Sequence, residues 1–185
     1  MESTGSYWKP LYNILESVGL NAMVVNARHM KAVPGRKTDQ KDAEWIADLL
    51  QHGLLKASYI PDKAQRELRE LVSYRKSLVA DKTRELNRLQ KMLEGANIKI
   101  SGTISQINGK SARNLLELLV KGQKIDSKKL AWMKENKQLA NNLKATPEQL
   151  ADDLNGVLSK LQRQMMKELL RHIDELDKHI ANLDN

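Results

Sequence analysis

The hydrophobic positions of this chain follow a helical period over most of its length. Residues 63–94 predict one long helix. In it a 4,3 spacing joins eight positions: Leu68, Val72, Arg75, Val79, Lys82, Leu86, Leu89 and Leu93. Because six of the eight are apolar, the pattern is typical of a coiled-coil seam that two basic residues interrupt. An ordinary amphipathic helix of a bundle would give a similar pattern, and both interpretations stay open.

A second long helix is predicted over residues 146–183. Thr146 and Pro147 are typical of a helix start, with an N-cap followed by proline at the first helical position. The apolar stripe runs from Leu150 to Leu183 and departs from heptad spacing in the middle, where we expect local unwinding. Residues 96–145 are punctuated by glycines and predict short helices near 111–121 and 126–143. The expected architecture is a long antiparallel coiled-coil hairpin with a small helical cap at about 96–145.

The first third of the chain has a different pattern. It predicts a helix, a buried strand, a basic connector and a second helix, at residues 8–18, 21–27, 28–37 and 38–52. Gly19 and Gly53 are expected to end the two helices, and Thr38 to cap the second. This order indicates a piece of an α/β layer, so the fold class expected for the whole chain is mainly α with a partial α/β segment. The domains are expected at 1–62 and 63–185.

Charge and composition narrow the function classes. Of the net charge of +8, residues 63–145 carry 19 basic and 8 acidic side chains, which favours a polyanion partner such as nucleic acid. A solvated lysine-rich surface explains the same charge equally well. The sequence has no cysteine, which excludes disulfides, thiolate zinc sites and a cysteine nucleophile. No apolar run reaches the roughly 20 residues of a membrane span, so we expect no membrane partner and a cytoplasmic protein.

Three carboxylates are candidates for a metal site. Asp39 and Asp42 are three residues apart at the start of a predicted helix and share one of its faces. Carboxylate oxygens suit magnesium, which supports phosphodiester chemistry. Acidic residues in a first helical turn are also favoured by the helix dipole alone. Glu2, near the start of the sequence, could equally be a carboxylate with no partner.

Two motifs in the same order carry a resemblance to a known family. Glu2-Ser3-Thr4-Gly5, followed by Tyr7-Trp8, and then Lys37-Thr38-Asp39 with Asp42-Ala43 resemble the N-terminal part of the DEDD-type, RuvC-like insertion-sequence transposases. The long helix that follows residues 1–62 resembles the coiled coil of that family, and Ile98 to Gly122 resembles its small helical insertion. The group includes recombinases that a bridge RNA guides and that use a serine for the covalent DNA link.

The resemblance implies a ribonuclease-H-like fold and magnesium-dependent cutting and joining of DNA. It assigns Glu2, Asp39 and Asp42 as the second, third and fourth acids of a catalytic and metal-binding tetrad. DNA is the implied substrate, a structured guide RNA a further partner, and a homo-oligomer is expected through the coiled coil.

The sequence also departs from the family pattern. The first acid has no counterpart before Glu2, and none of the serines lies in the family's serine motif. We therefore expect a transposase truncated at both ends whose chain alone is inactive in recombination. The alternative is a non-enzymatic helical module that binds nucleic acid through residues 63–145 and dimerises through its coiled coil.

Overall fold

The computed structural model describes residues 1–26, 39–104, 107–140, 143 and 145–184, without the side chains of 39–42, 101 and 103. The predicted connector at 28–37, the last strand residue Ala27 and the capping residue Thr38 lie outside this set. The helices of the described residues are α1 (Trp8–Ser17), α2 (Asp39–Gln51), α3 (Lys63–Gly95), α4 (Ile100–Thr103), α5 (Lys110–Val120), α6 (Ser127–Glu135), α7 (Pro147–Asp153) and α8 (Lys160–Leu183). The chain is thus mainly helical, as predicted, and it forms two compact units, Met1–Glu67 and Leu68–Asn185.

The first unit has a small core built around one extended segment. Val25 bridges Glu2 in parallel and Ala57 in antiparallel orientation. Within the described residues these isolated bridges are all that forms of the predicted 21–27 strand, and a ribonuclease-H-like sheet is not seen. Val25 and Leu49 are buried, with Met23, Trp45, Ile46 and Leu55 packed against them.

Helix α1 ends where the sequence predicts, but its apolar face is not buried. Gly19 adopts a φ of +74°, and the Leu20 amide donates to the Leu15 carbonyl at 2.9 Å. This left-handed cap costs glycine little, which explains the stop. The predicted face residues Leu11, Ile14 and Val18 are all at least half exposed.

One arginine links α1 to the start of α3. The Arg66 guanidinium donates to the Glu16 carboxylate at 2.5 and 3.2 Å and lies 5.2 Å from the centre of the Tyr12 ring. Mainly through this hydrogen bond, Arg66 lowers the pKa of Glu16 below its usual value. The contact holds α1 against residues 63–67 of α3 within the first unit.

The second unit contains the larger core. Its fully buried side chains come from α3 to α8 and include Leu89, Leu93, Ile100, Leu115, Leu116, Leu130, Met133 and Met166. Three helix pairs pack directly: α6 with α7, α5 with α8, and α4 with α7. The short helices of the predicted cap are therefore part of the same core as the two long helices.

Ion pairs join α3 to α8 in opposite directions. Arg75 pairs with Asp184, and Lys82 pairs with Asp177. The two cations are seven residues apart, and their partners are seven residues apart in reverse order. The predicted antiparallel arrangement of the two long helices is therefore formed within one chain.

The buried line along α3 differs from the predicted seam. Leu78 and Glu85 are buried, whereas Val79 is exposed and Leu86 is only partly buried. Towards the start of the helix, the seam residues Leu68 and Val72 are also exposed. Arg75 and Lys82 form ion pairs with Asp184 and Asp177, and both side chains therefore face α8. The buried residues of α3 are therefore Leu78 and Glu85 together with the seam residues Leu89 and Leu93.

The prediction of one continuous helix at 146–183 is wrong, because residues 154–159 separate α7 from α8. Thr146 and Pro147 begin α7 as predicted, with a capping box that includes Gln149. The backbone at Gly156 then passes so close to α3's end that an added Cβ would lie 2.2 Å from the Ala96 carbonyl oxygen. Ser159 opens α8 with a second capping box, to Gln162. The helix predicted from the apolar stripe is therefore interrupted at this close backbone contact.

The predicted helix at 126–143 is too long. It is present as α6, which ends at Glu135 because Lys137 adopts a left-handed φ of +55°. The following residues are held by side chains of α5. The Asn114 amide donates to the Gln138 carbonyl at 2.7 Å, and the Ala140 amide donates to the Ser111 hydroxyl at 2.9 Å.

Candidate active site

Glu2 lies in the extended segment that pairs with Val25. The Ser3 amide donates to the Val25 carbonyl, and the Val25 amide donates to the Met1 carbonyl, both at 2.9 Å. In this parallel pairing the backbone groups of Met1 and Ser3 point towards Val25, which fixes the strand position of Glu2 between them.

The Glu2 carboxylate is partly buried and has a local partner. The Thr4 hydroxyl donates to Glu2 Oε1 at 2.9 Å. This contact within the E-S-T-G motif orients one oxygen of the Glu2 carboxylate.

Asp39 and Asp42 occupy the first two turns of α2. With 3.6 residues per turn, positions 39 and 42 share a helical face with Ile46 and Leu49. Leu49 is buried against Val25, the residue that bridges Glu2. One small core therefore connects the helix that carries both aspartates to the segment that carries Glu2.

Of the three candidate carboxylates, the structure describes the side chain of Glu2 alone. In the part of the chain that it describes, no group of three or more His, Asp or Glu side chains could hold a metal ion. The side chains of Asp39 and Asp42 lie outside the described residues, so the predicted site stays a prediction.

Comparison with known proteins decides the family. A family model described as a transposase, of the DEDD type found in IS110 insertion sequences, matches residues 1–98, more than half of the chain. The chain belongs to this transposase family. No curated protein and no solved structure matches the chain.

The match confirms the family that the two motifs indicated. It covers α1, α2 and α3 of the transposase chain and includes Glu2, Asp39 and Asp42. It ends at residue 98, which follows α3 by three positions and lies in the segment that contacts Gly156. Among the described helices of this transposase, none is both long and apolar enough to cross a bilayer.

Proposed function

We propose that this transposase chain supplies three acids to magnesium-dependent DNA strand cleavage and joining. Glu2, Asp39 and Asp42 are the proposed catalytic and metal-binding residues. One observation carries the proposal: Val25, the bridge partner of Glu2, packs with Leu49 of the helix that begins at Asp39. Two distant sequence motifs are thereby attached to the same small core.

The chemistry of these residues fits a hard cation. Magnesium takes oxygen ligands and keeps water in its remaining positions, so carboxylates from two elements suit it. When bound, such ions stabilise the charge that develops on the attacking and leaving oxygens of a phosphodiester. Thr4 is proposed to position the Glu2 carboxylate for this role through its hydroxyl hydrogen bond.

The proposed fold of the matched segment is ribonuclease-H-like, with a nuclease domain at 1–62 and a coiled-coil helical domain at 63–185 that includes the insertion at about 96–145. The tetrad of this fold needs four acids, and the two motifs of this sequence provide three. We infer that the 185-residue chain by itself does not perform recombination.

The proposed partners are DNA, a structured guide RNA and a second copy of the chain. Pairing between copies through α3 is supported by apolar side chains that remain exposed on its first turns, Leu68, Leu71 and Val72. Burial of such residues against another helix is the usual source of coiled-coil stability.

Metal binding tests the proposed site without relying on activity. A ligand that binds the folded state raises the unfolding temperature, and the rise depends on its concentration. We expect Mg²⁺ or Mn²⁺ to raise the unfolding temperature of the full chain, and Asp39→Asn or Asp42→Asn to abolish this effect. Asp48→Asn, an exposed position on the same helix, is the matched control and should keep it. Equal metal responses in Asp39→Asn and Asp48→Asn would contradict the proposed site.

A second candidate, the non-enzymatic nucleic-acid-binding module, is favoured by lysines of the second unit, such as Lys124 and Lys128, that form no ion pair among the described residues. It predicts tight, salt-dependent binding of nucleic acid with no metal response in any variant. The two candidates are distinguished by the metal titration above together with a plasmid strand-transfer assay. Product from this chain alone would contradict the inference that it is inactive.

A further inference from the structure

Trp132 is a large aromatic side chain on the outside of α6. It is 53% exposed, whereas Leu130 and Met133 of the same helix are buried in the core of the second unit. Lys128 lies one turn earlier on the same outer face. A single exposed tryptophan is unremarkable in itself, so its surroundings decide what it can do.

Cations from three elements lie near the start of this helix: the loop at residues 121–124, α6 itself and α8. The Lys129 ammonium donates to the Gln123 side-chain oxygen at 2.6 Å and so ties the loop at residues 121–124 to the start of α6. The same loop also lies next to Arg163 of α8. The Arg163 Nη1 atom is 3.2 Å from the position that a Cβ of Gly122 would occupy. Arg163 is held there by donating to the Leu158 carbonyl at 3.2 Å. We name the resulting group the basic platform: Lys121, Lys124, Lys128, Lys129, Arg163 and Trp132.

The cations of the platform have no carboxylate partner among the described residues. Across the residues that the structure describes, none of its five cations forms an ion pair. The nearest acid in sequence, Asp126, is engaged instead with the Lys129 amide, which it caps at 2.8 Å. A surface of this kind attracts an anionic partner.

We propose that the basic platform binds single-stranded nucleic acid, with an unpaired base stacked on Trp132 and the flanking phosphates beside the lysines and Arg163. Aromatic rings among cations are the usual means of holding single strands, because every base has a π face and a duplex hides it. A membrane surface fits less well, since α6 has one exposed apolar anchor and an interfacial helix needs a broad apolar face. The proposal rests on the proposed function only in that the partner is a nucleic acid, and it uses none of the acids Glu2, Asp39 and Asp42.

Fluorescence anisotropy on the full chain tests the stacking. The probes are labelled dT12, labelled U12 and a labelled 12-base-pair duplex, and comparison of the first two distinguishes DNA from RNA. Trp132→Ala is expected to weaken binding of at least one single strand by about five-fold or more, and Trp132→Phe by less, because phenylalanine still stacks. Tyr74→Ala, at a residue of similar exposure (56%) on α3, is the matched control and should bind like the wild type.

Salt dependence tests the phosphate contacts. For single strands each lost contact lowers the slope of log affinity against log salt by about 0.7, so Lys124→Gln and Lys128→Gln should each reduce it by about that amount. Helical circular dichroism of each variant checks that the fold is kept.

Three results would overturn the proposal. They are unchanged single-strand affinity in Trp132→Ala, equal loss in Tyr74→Ala, and binding to anionic vesicles or an acidic peptide that depends on Trp132 while the single strands bind without it. Asp39→Asn separates this site from the proposed active site. It should lose the metal response and keep single-strand binding, so each proposal can fail alone.

Discussion

Arg75 of α3 forms a two-pronged ion pair with Asp184, the C-cap residue of α8. Its Nε donates to Oδ1 at 2.5 Å and its Nη2 to Oδ2 at 2.9 Å. Lys82 pairs with Asp177 one heptad further along. The two basic residues that interrupt the apolar pattern of α3 thus specify its partner helix, its direction and its register.

Reversing one of these pairs tests the register. Lys82→Glu places like charges at the contact and should destabilise the chain, and adding Asp177→Lys should restore most of the loss. The coupling energy from the double-mutant cycle is expected at about 0.2–1 kcal/mol, because the Asp177 side chain is half exposed and solvent screens the pair. Urea unfolding measures it. Lys82→Glu combined with Glu175→Lys is the mismatched control, and coupling of the same size there would contradict the register.

The Arg75–Asp184 pair should also make stability depend on pH. The hydrogen bond from Arg75 is the main cause that lowers the pKa of Asp184 in the folded chain. Since the folded pKa lies below the unfolded one, the stabilisation is present above about pH 4 and is lost as the pH falls through the folded pKa. Carboxyl NMR titration should show a lower midpoint for Asp184 in the wild type than in Arg75→Gln. Equal midpoints would show that the pair does not persist in solution.

The close contact at Gly156 should not tolerate a side chain. In Gly156→Ala the new methyl group would lie 2.2 Å from the Ala96 oxygen and 2.5 Å from Ile98 Cγ1. We expect a loss of about 1–3 kcal/mol in the free energy of unfolding, as for an overpacked core. Gly95→Ala is the control, since a Cβ there meets no atom within 4 Å. Removing a helical glycine should leave stability unchanged or raise it by about 0.5–1 kcal/mol. Similar effects of the two substitutions would contradict this account of the break between α7 and α8.

Glu85 is a buried carboxylate whose partners are exposed. Its Oε1 accepts from Arg88 Nη1 at 2.5 Å and lies 3.4 Å from His172 Nδ1, while the Arg88 and His172 side chains are 64% and 51% exposed. Because both partners are exposed, removing Glu85 leaves no buried charge without a partner. Replacing a buried ionic group by an apolar one of similar volume is often neutral or stabilising. Glu85→Met should leave the free energy of unfolding unchanged or raise it by about 1 kcal/mol. Leu89→Ala, one turn later and fully buried, should cost about 2–5 kcal/mol. A comparable loss in Glu85→Met, measured by urea unfolding, would indicate that the ion pairs are required for the fold.

The two units should differ in resistance to protease. In the described part of the first unit the buried hydrophobic residues are Val24, Val25 and Leu49, whereas the second unit buries residues from six helices. Because local stability follows apolar burial, limited proteolysis should cut within residues 1–60 first and leave 68–184 as the persistent fragment. Mass spectrometry of the fragments identifies the cuts. Early loss of α8 would contradict this order.

The sequence by itself determined the local elements of this protein. Thr146 with Pro147 marked a helix start, and Gly19 and Gly53 marked helix ends, because cap chemistry depends on a few neighbouring residues. The family was also within reach of the sequence, since Glu2-Ser3-Thr4-Gly5 and the motif around Asp39 and Asp42 are local patterns. The geometry of the proposed acids stays a prediction, because it depends on side chains that the described residues do not include.

Only the tertiary structure decided how the long helices meet. The apolar stripe at 146–183 predicts one helix, but the contact of Gly156 with Ala96 comes from residues sixty positions apart and no local pattern carries it. Likewise, the seam predicted through Val79 and Leu86 is replaced in the structure by burial of Leu78 and Glu85. Helical periodicity fixes which residues share a face, and long-range packing and ion pairing fix which face is buried.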